Sequence, residues 1–253
     1  MPCQARIRPC KSKSRKGSLV TEPFSDERVL AAWQQNALPW TDAVREGRIA
    51  SRTLVTDDAI VQTVLSWAPH GGTLLDLGCG EGWLCRALAS QAPDRALRLF
   101  GVDAVASLVD AARAAGGATF QVLDYRQLAS EGPQRLPPLD LVVSNFALIG
   151  DADVAAALSA LPALLVPAGH VVIQTLHPLM ACGELPYQDG WREGSWQGCG
   201  SGFAEAAPWY FRTLSGWLAL LRDSGLRLLA TREPLHPDTG KPASLILVAM
   251  PDH

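Results

Sequence analysis

The chain has 253 residues, 48% of them hydrophobic, and a net charge of −3. That length suits one α/β domain with an appended tail and an insertion, and the charge balance gives no global sign of a nucleic-acid or membrane partner. No apolar run is long enough to cross a bilayer, because Pro162, Pro167 and His170 break the best candidate, so a cytoplasmic protein is expected.

The chain opens on "RIRPCKSKSRKG", which carries six Lys or Arg residues with no acid before Glu22. Such a run is expected to form a solvated, disordered tail over residues 1–24. A targeting peptide or a polyanion-binding arm is the functional alternative, although the apolar core of a secretory signal is missing. "DERVLAAWQQNALPWTDAVREG" and "TDDAIVQTVLSWA" then read as two or three helices, the last starting at Thr56 with Asp57 and Asp58 in an acidic first turn. They are expected to pack across the carboxyl edge of a sheet.

Strand-like and helix-like runs alternate from there, the pattern of a mostly parallel sheet covered on both faces. The strands are "TLLDLG", "LRLFGVD", "TFQVLD", "LDLVVSN" and "HVVIQTL"; the helices between them are "GWLCRALASQ", "VASLVDAARAA" and "DVAAALSALPALL". The irregular stretch from His177 to about Phe211 is longer than loops usually are, and its aromatic content favours an ordered lid. "TLSGWLALLRDSG" is a helix with Leu214, Trp217, Leu218 and Leu221 on one face and a stop at Gly225. "LRLLATRE" and "SLILVAM" close the chain as an antiparallel pair.

The chemistry concentrates in "LLDLGCGEGW", a buried strand that opens through a glycine turn into a helix. Glycine lets the backbone approach a ligand and adopt φ values closed to other residues. A dinucleotide fingerprint starting at Gly78 and Gly80 requires glycine at position 83, which is Trp83; the third glycine comes one residue earlier, at Gly82. Six cysteines, Cys3, Cys10, Cys79, Cys85, Cys182 and Cys199, include no Cys-x-x-Cys pair and no histidine at metal spacing, so no metal site is expected. Cys79 and Cys85 read as small buried apolar residues.

An acidic residue followed by alternating glycines resembles the first motif of the class I S-adenosylmethionine-dependent methyltransferases. "GVDA", "VLDY", "SNFAL" and "LLVPAGHVVIQTLHP" match the ends of strands two to five, and the resemblance covers roughly residues 27 to 250. "WQQNALPWTDAVREGRIASR", "YQDGWRE" and "PWYFRTL" resemble more closely a group of bacterial methyltransferases of undefined substrate. The resemblance implies a Rossmann-like α/β fold: a seven-stranded, mostly parallel sheet in the order 3-2-1-4-5-7-6 with the last strand antiparallel, N-terminal helices, and a lid insertion at about 177–211 in a domain spanning 25–253.

It also implies S-adenosylmethionine as cofactor. Gly78, Gly80 and Gly82 make room for its methionyl part, with Asp76 accepting from the ammonium directly or through water. Asp103 accepts from both ribose hydroxyls, and Asp124, with Tyr125 beside it, accepts from the adenine amino group. Asn145 and Phe146 lie near the methionyl end, and Arg52 meets the carboxylate. Asp76 and Asp124 have a structural reading as turn caps, and Arg52 one as a surface charge.

Methyl transfer from a sulfonium mainly needs alignment and exclusion of water. His177 is the first candidate for a general base, with a structural alternative as a strand-end cap. Gly150 stands where many relatives carry a histidine, and His70 and His236 read as solvated turn residues. Tyr187, Asp189, Trp191, Trp209 and Tyr210 are expected to wall the acceptor pocket, and Trp196 to anchor the loop. "SNFA" lacks the paired prolines used on nucleic-acid amines, which favours O- or N-methylation of a small molecule. A tRNA nucleoside or a carrier-bound acyl group stays open as acceptor. So do an aminopropyl transferase, an NAD-dependent reductase, which Trp83 and the lack of a Tyr-x-x-x-Lys oppose, and a non-catalytic binding module.

Overall fold

The computed structural model describes residues 24–252; the basic run at 6–17 lies outside them. Helix α1 (Asp26–Arg45) starts at Ser25, whose hydroxyl accepts from Arg28 N at 3.3 Å, with Asp26 and Glu27 in its first turn and Arg45 in its last. A π-helical turn, Arg52–Thr56, runs straight into α2 (Asp57–Trp67). Thr56 therefore has helical φ/ψ and its side chain caps nothing, contrary to the expected start there.

Strands and helices then alternate: β1 (Thr73–Leu77), α3 (Trp83–Gln91), β2 (Arg98–Asp103), α4 (Ala106–Ala115), β3 (Thr119–Val122), α5 (Tyr125–Arg135), β4 (Leu139–Asn145), α6 (Ala152–Leu164) and β5 (Leu165–Thr175). After a short helix α7 (Pro178–Ala181) and the strands β6 (Gly190–Arg192) and β7 (Trp209–Phe211) come α8 (Leu214–Asp223), β8 (Leu226–Arg232) and β9 (Leu245–Pro251). The main sheet has seven strands in the order β3-β2-β1-β4-β5-β9-β8. Counting only its own strands, this is the expected 3-2-1-4-5-7-6, and β9 runs antiparallel to both neighbours.

Helix α5 was not expected from its sequence. It is polar and carries Gly132 and Pro133, yet a capping box between Asp124 and Gln127 starts it. Gly132 lets it pack closely on α6, where a Cβ would stand 3.2 Å from Leu164.

Side-chain alternation along β1 divides the core. Leu75 and Leu77 face a cluster with Leu128 of α5, Leu158 and Leu161 of α6, and Leu221 of α8. Leu74 faces the other, with Ile60 and Val64 of α2, Leu84 and Leu88 of α3, and Val109 of α4. Each such fully buried leucine contributes about 1.5–3 kcal/mol. Thus α2 covers a sheet face, and of the N-terminal helices α1 lies over the carboxyl edge.

Two tethers hold α1 there. At its start the Asp26 carboxylate accepts from Asp151 N at 2.7 Å and Ala152 N at 3.1 Å, at the N-terminus of α6. A Cβ on Gly150 would collide with that carboxylate, so the contact requires glycine there. At its end Arg45 reaches Glu81 at 2.8 Å.

Candidate active site

The strand order reverses between β1 and β4, and the crevice opens at their carboxyl ends. Two cavities of about 530 Å³ and 150 Å³ meet there. Trp33, Trp40, Gly78, Gly80, Asn145 and Phe146 bound both.

The three glycines of the turn do different work. Gly78 (φ 79°) lines both cavities, and a Cβ on it would collide with Ala147 Cβ. Gly80 (φ 54°) faces open space, its nearest neighbour being Trp40 Nε1, 3.7 Å from where a Cβ would sit. Gly82 (φ 83°) borders neither cavity; a Cβ there would stand 2.7 Å from the Phe120 ring, so this glycine seats α3 against the sheet. Beneath the turn the Glu81 carboxylate is wholly buried between Arg45 at 2.8 Å and Arg86 at 2.6 Å, fixing both α1 and α3 to the loop.

Asp103 borders the smaller cavity and holds the turn as well. Its Oδ2 accepts from Gly80 N and its Oδ1 from Val105 N, both at 2.9 Å. Burial pushes its carboxyl above the ordinary value despite those bonds. Asp76 is placed differently from the expectation: it does not border either cavity. As the neighbour of Leu75 and Leu77 in a period of two, it points to the α3 face, where Cys85 Sγ lies 3.9 Å from its Oδ2. Burial, with the charge of Asp103 added, pushes its carboxyl up to about 7.

Asp124 and Tyr125 also border the smaller cavity. Asp124 Oδ1 is committed to the cap of α5, accepting from Gln127 N at 2.7 Å, and the Tyr125 hydroxyl donates to Ala147 O at 2.9 Å. Asn145, which lines both cavities, accepts at Oδ1 from Gln174 Nε2 at 2.7 Å. Gln174 is itself held by Thr56 O and Ser244 Oγ. Phe146 has φ 53°, a left-handed conformation that a non-glycine residue keeps only where its surroundings hold it.

Arg52 is 7% exposed and is no surface charge. Its Nε donates to Asp57 Oδ1 at 2.9 Å and its guanidinium lies over Trp83, 4.4 Å from the ring centroid. Its Nη2 is buried with no hydrogen-bond partner among the described residues, and the residue lines the larger cavity. A buried donor left this way calls for an acceptor. The cradle and this donor fit an adenosine-bearing amino acid.

The cover over the larger cavity is the antiparallel ribbon β6-β7, with Trp191 opposite Tyr210, and the loop between its strands. Trp209 and Tyr210 line the cavity as expected of them, and Tyr187, Asp189 and Trp191 do not. The Tyr187 hydroxyl accepts from Leu214 N at 2.9 Å and Asp189 Oδ1 from Thr213 N at 2.7 Å, so both serve the start of α8; Trp191 packs edge-on against Tyr210. Trp196 does line the cavity, stacked on Phe203 at 4.5 Å and edge-on to Trp33 at 5.2 Å. Asn36, fully buried on α1, holds this segment: Oδ1 accepts from Ala204 N at 2.7 Å and Nδ2 donates to Glu205 O at 3.1 Å. Buried Arg192 lies over Phe211, and buried Arg212 ties the ribbon to Gly150 O at 2.8 Å.

His177 is a correction. Leu176 and Pro178 border the cavity while His177, between them, turns away to Glu233, with Nε2 2.8 Å from Oε1. The geometry favours its structural role over that of a base. Sequence reasoning missed Trp33 and Trp40, although their spacing of seven on one helix, with Asn36 and Ala37 between, marks a single face. Gln174, a polar residue in a buried strand, was the other available signal.

A profile of the methyltransferase-domain family matches residues 48–231. The ubiquinone biosynthesis O-methyltransferase of Rhodopseudomonas palustris (strain TIE-1) is 30% identical over 108 residues, 43% of this chain and 41% of that one. The chain thus spans about two fifths of the length of the curated relatives it matches. Among solved structures, an S-adenosylmethionine-dependent methyltransferase from Mesorhizobium loti is 25% identical, with a TM-score of 0.55 over 74% of this chain and 95% of that one. A magnesium protoporphyrin IX methyltransferase from Synechocystis PCC 6803, solved with S-adenosylhomocysteine, shares the fold with a TM-score of 0.59 and 17% identity, over 89% of this chain and 99% of that one. The chain belongs to the methyltransferase-domain family and carries the class I fold of S-adenosylmethionine-dependent methyltransferases.

Proposed function

We propose that the protein transfers a methyl group to an oxygen or nitrogen of a small, flat, largely apolar acceptor. The observation that carries this reading is the junction of the two cavities: a smaller pocket beside Asp103 and Asp124 and a larger aromatic chamber share Gly78, Gly80, Asn145 and Phe146 as walls. The cofactor, when bound, supplies a methyl on a sulfonium, whose transfer leaves a neutral thioether. Asp103 would hold the ribose and Asp124 the adenine end, beside Tyr125; Arg52 would take the carboxylate. Trp196, Trp209 and Tyr210 would stack on the acceptor and exclude water, so alignment is the main contribution of these residues. With His177 turned off the chamber, this reading assigns it no proton transfer. The name of the Rhodopseudomonas relative supports an oxygen acceptor. In this reading residues 25–253 form the methyltransferase domain, 1–24 a tail, and about 177–211 the inserted lid.

The test is a thermal-shift panel followed by calorimetry. S-adenosylhomocysteine should raise the melting temperature and NAD should not. Asp103→Ala should weaken S-adenosylmethionine binding by about ten-fold or more, on the order of 1.4 kcal/mol. Stabilisation by NAD alone, or an unchanged affinity in the variant, defeats the assignment. Screening small aromatic metabolites with a labelled methyl donor then identifies the acceptor.

A further inference from the structure

Beside Arg52 the structure offers a second donor, one that the family profile does not reach. Trp40 lies on α1, outside the matched residues 48–231, and borders both cavities. Its Nε1 is 3.7 Å from the Cβ position of Gly80, at the floor of the cofactor cradle, and donates to no acceptor among the described residues. The Arg52 guanidinium stands 6.0 Å from the centroid of the same indole. A carboxylate accepts charge-assisted hydrogen bonds of about 2.8 Å on each of its two oxygens, so two donors on residues lining one cavity can share it. Both donors are held in place: Arg52 by Asp57 and Trp83, and Trp40 by Trp33, edge-on at 5.0 Å.

We propose that the indole N–H of Trp40 and the free Nη2 of Arg52 together bind the carboxylate of the cofactor's amino-acid end. Trp40 is then a cofactor-positioning residue, carried by α1 over the carboxyl edge. This rests on the reading of the cavity as the S-adenosylmethionine site.

Calorimetry on the full chain tests it with two ligands. S-adenosylhomocysteine carries the amino-acid end; 5′-methylthioadenosine keeps the adenosine and sulfur and lacks it. Trp40→Phe keeps an aromatic ring and removes the N–H. The variant should bind S-adenosylhomocysteine roughly tenfold more weakly and 5′-methylthioadenosine within about twofold of the parent. Equal affinity for S-adenosylhomocysteine in parent and variant overturns the proposal, as does equal weakening for both ligands, which would mark a packing role. A parent protein that binds neither ligand instead refutes the cofactor reading, and this proposal falls with it. Nitrogen-labelled tryptophan in the parent protein gives an answer that does not depend on the variant's folding. One indole N–H resonance should move downfield with S-adenosylhomocysteine and stay with 5′-methylthioadenosine; no such resonance overturns the proposal.

Discussion

Asp76→Asn should stabilise the ligand-free protein, and more so as pH rises. The Asp76 carboxyl is 4% exposed and its pKa is pushed from 3.8 up to about 7. An acid raised on folding favours the native state below its unfolded pKa and loses that advantage as pH climbs to the folded one. Between about 4 and 7 the unfolded chain has released a proton that the native state keeps, so stability falls with pH. At about 1.4 kcal/mol per unit, the shift costs the native state on the order of 2 kcal/mol at pH 5 and about 4 kcal/mol, as an upper bound, at pH 8. Asparagine removes the charge at nearly constant shape. Urea denaturation of parent and variant at both pH values reads the difference directly. The variant should gain over the parent at pH 5 and gain roughly twice as much or more at pH 8. A gain independent of pH, or a loss at pH 8, would refute the assignment of the raised pKa to this buried carboxyl.

Three further outcomes follow from the contacts around the site. Gly78→Ala forces a Cβ onto Ala147 at a positive φ; it should cost about 2 kcal/mol or more in a urea melt and weaken S-adenosylhomocysteine binding. Asn36→Ala removes the bonds to Ala204 N and Glu205 O, which should cost about 2–3 kcal/mol and speed proteolysis between residues 193 and 207, read by mass spectrometry. Glu81→Gln leaves Arg45 and Arg86 without their carboxylate. A loss of about 3 kcal/mol is expected by denaturation, and a loss under about 1 kcal/mol would show that α1 is not tied to the turn there.

The sequence by itself determined the sheet and the glycine cradle. Both are written in local order: apolar strands of period two, helices after each, and an Asp-x-Gly-x-Gly-x-Gly turn whose left-handed φ values favour glycine. Legible in the same way were Asp103 and Asp124, because strand ends in a parallel sheet converge on one edge whatever the loops do. Tertiary structure decided what each side chain faces. Asp76 faces α3 because alternation along a strand gives successive residues opposite faces, and which face meets the cavity depends on the layers packed around it; His177, past the end of β5, is drawn off the chamber by Glu233. The walls contributed by α1 and the lid, Trp33, Trp40 and Trp196, come from segments far apart in sequence that are joined by the Asn36 bonds to Ala204 and Glu205 and by the Trp33–Trp196 contact. Contacts of that separation leave no local period to read, so the chamber's chemistry is settled by packing between helix and lid.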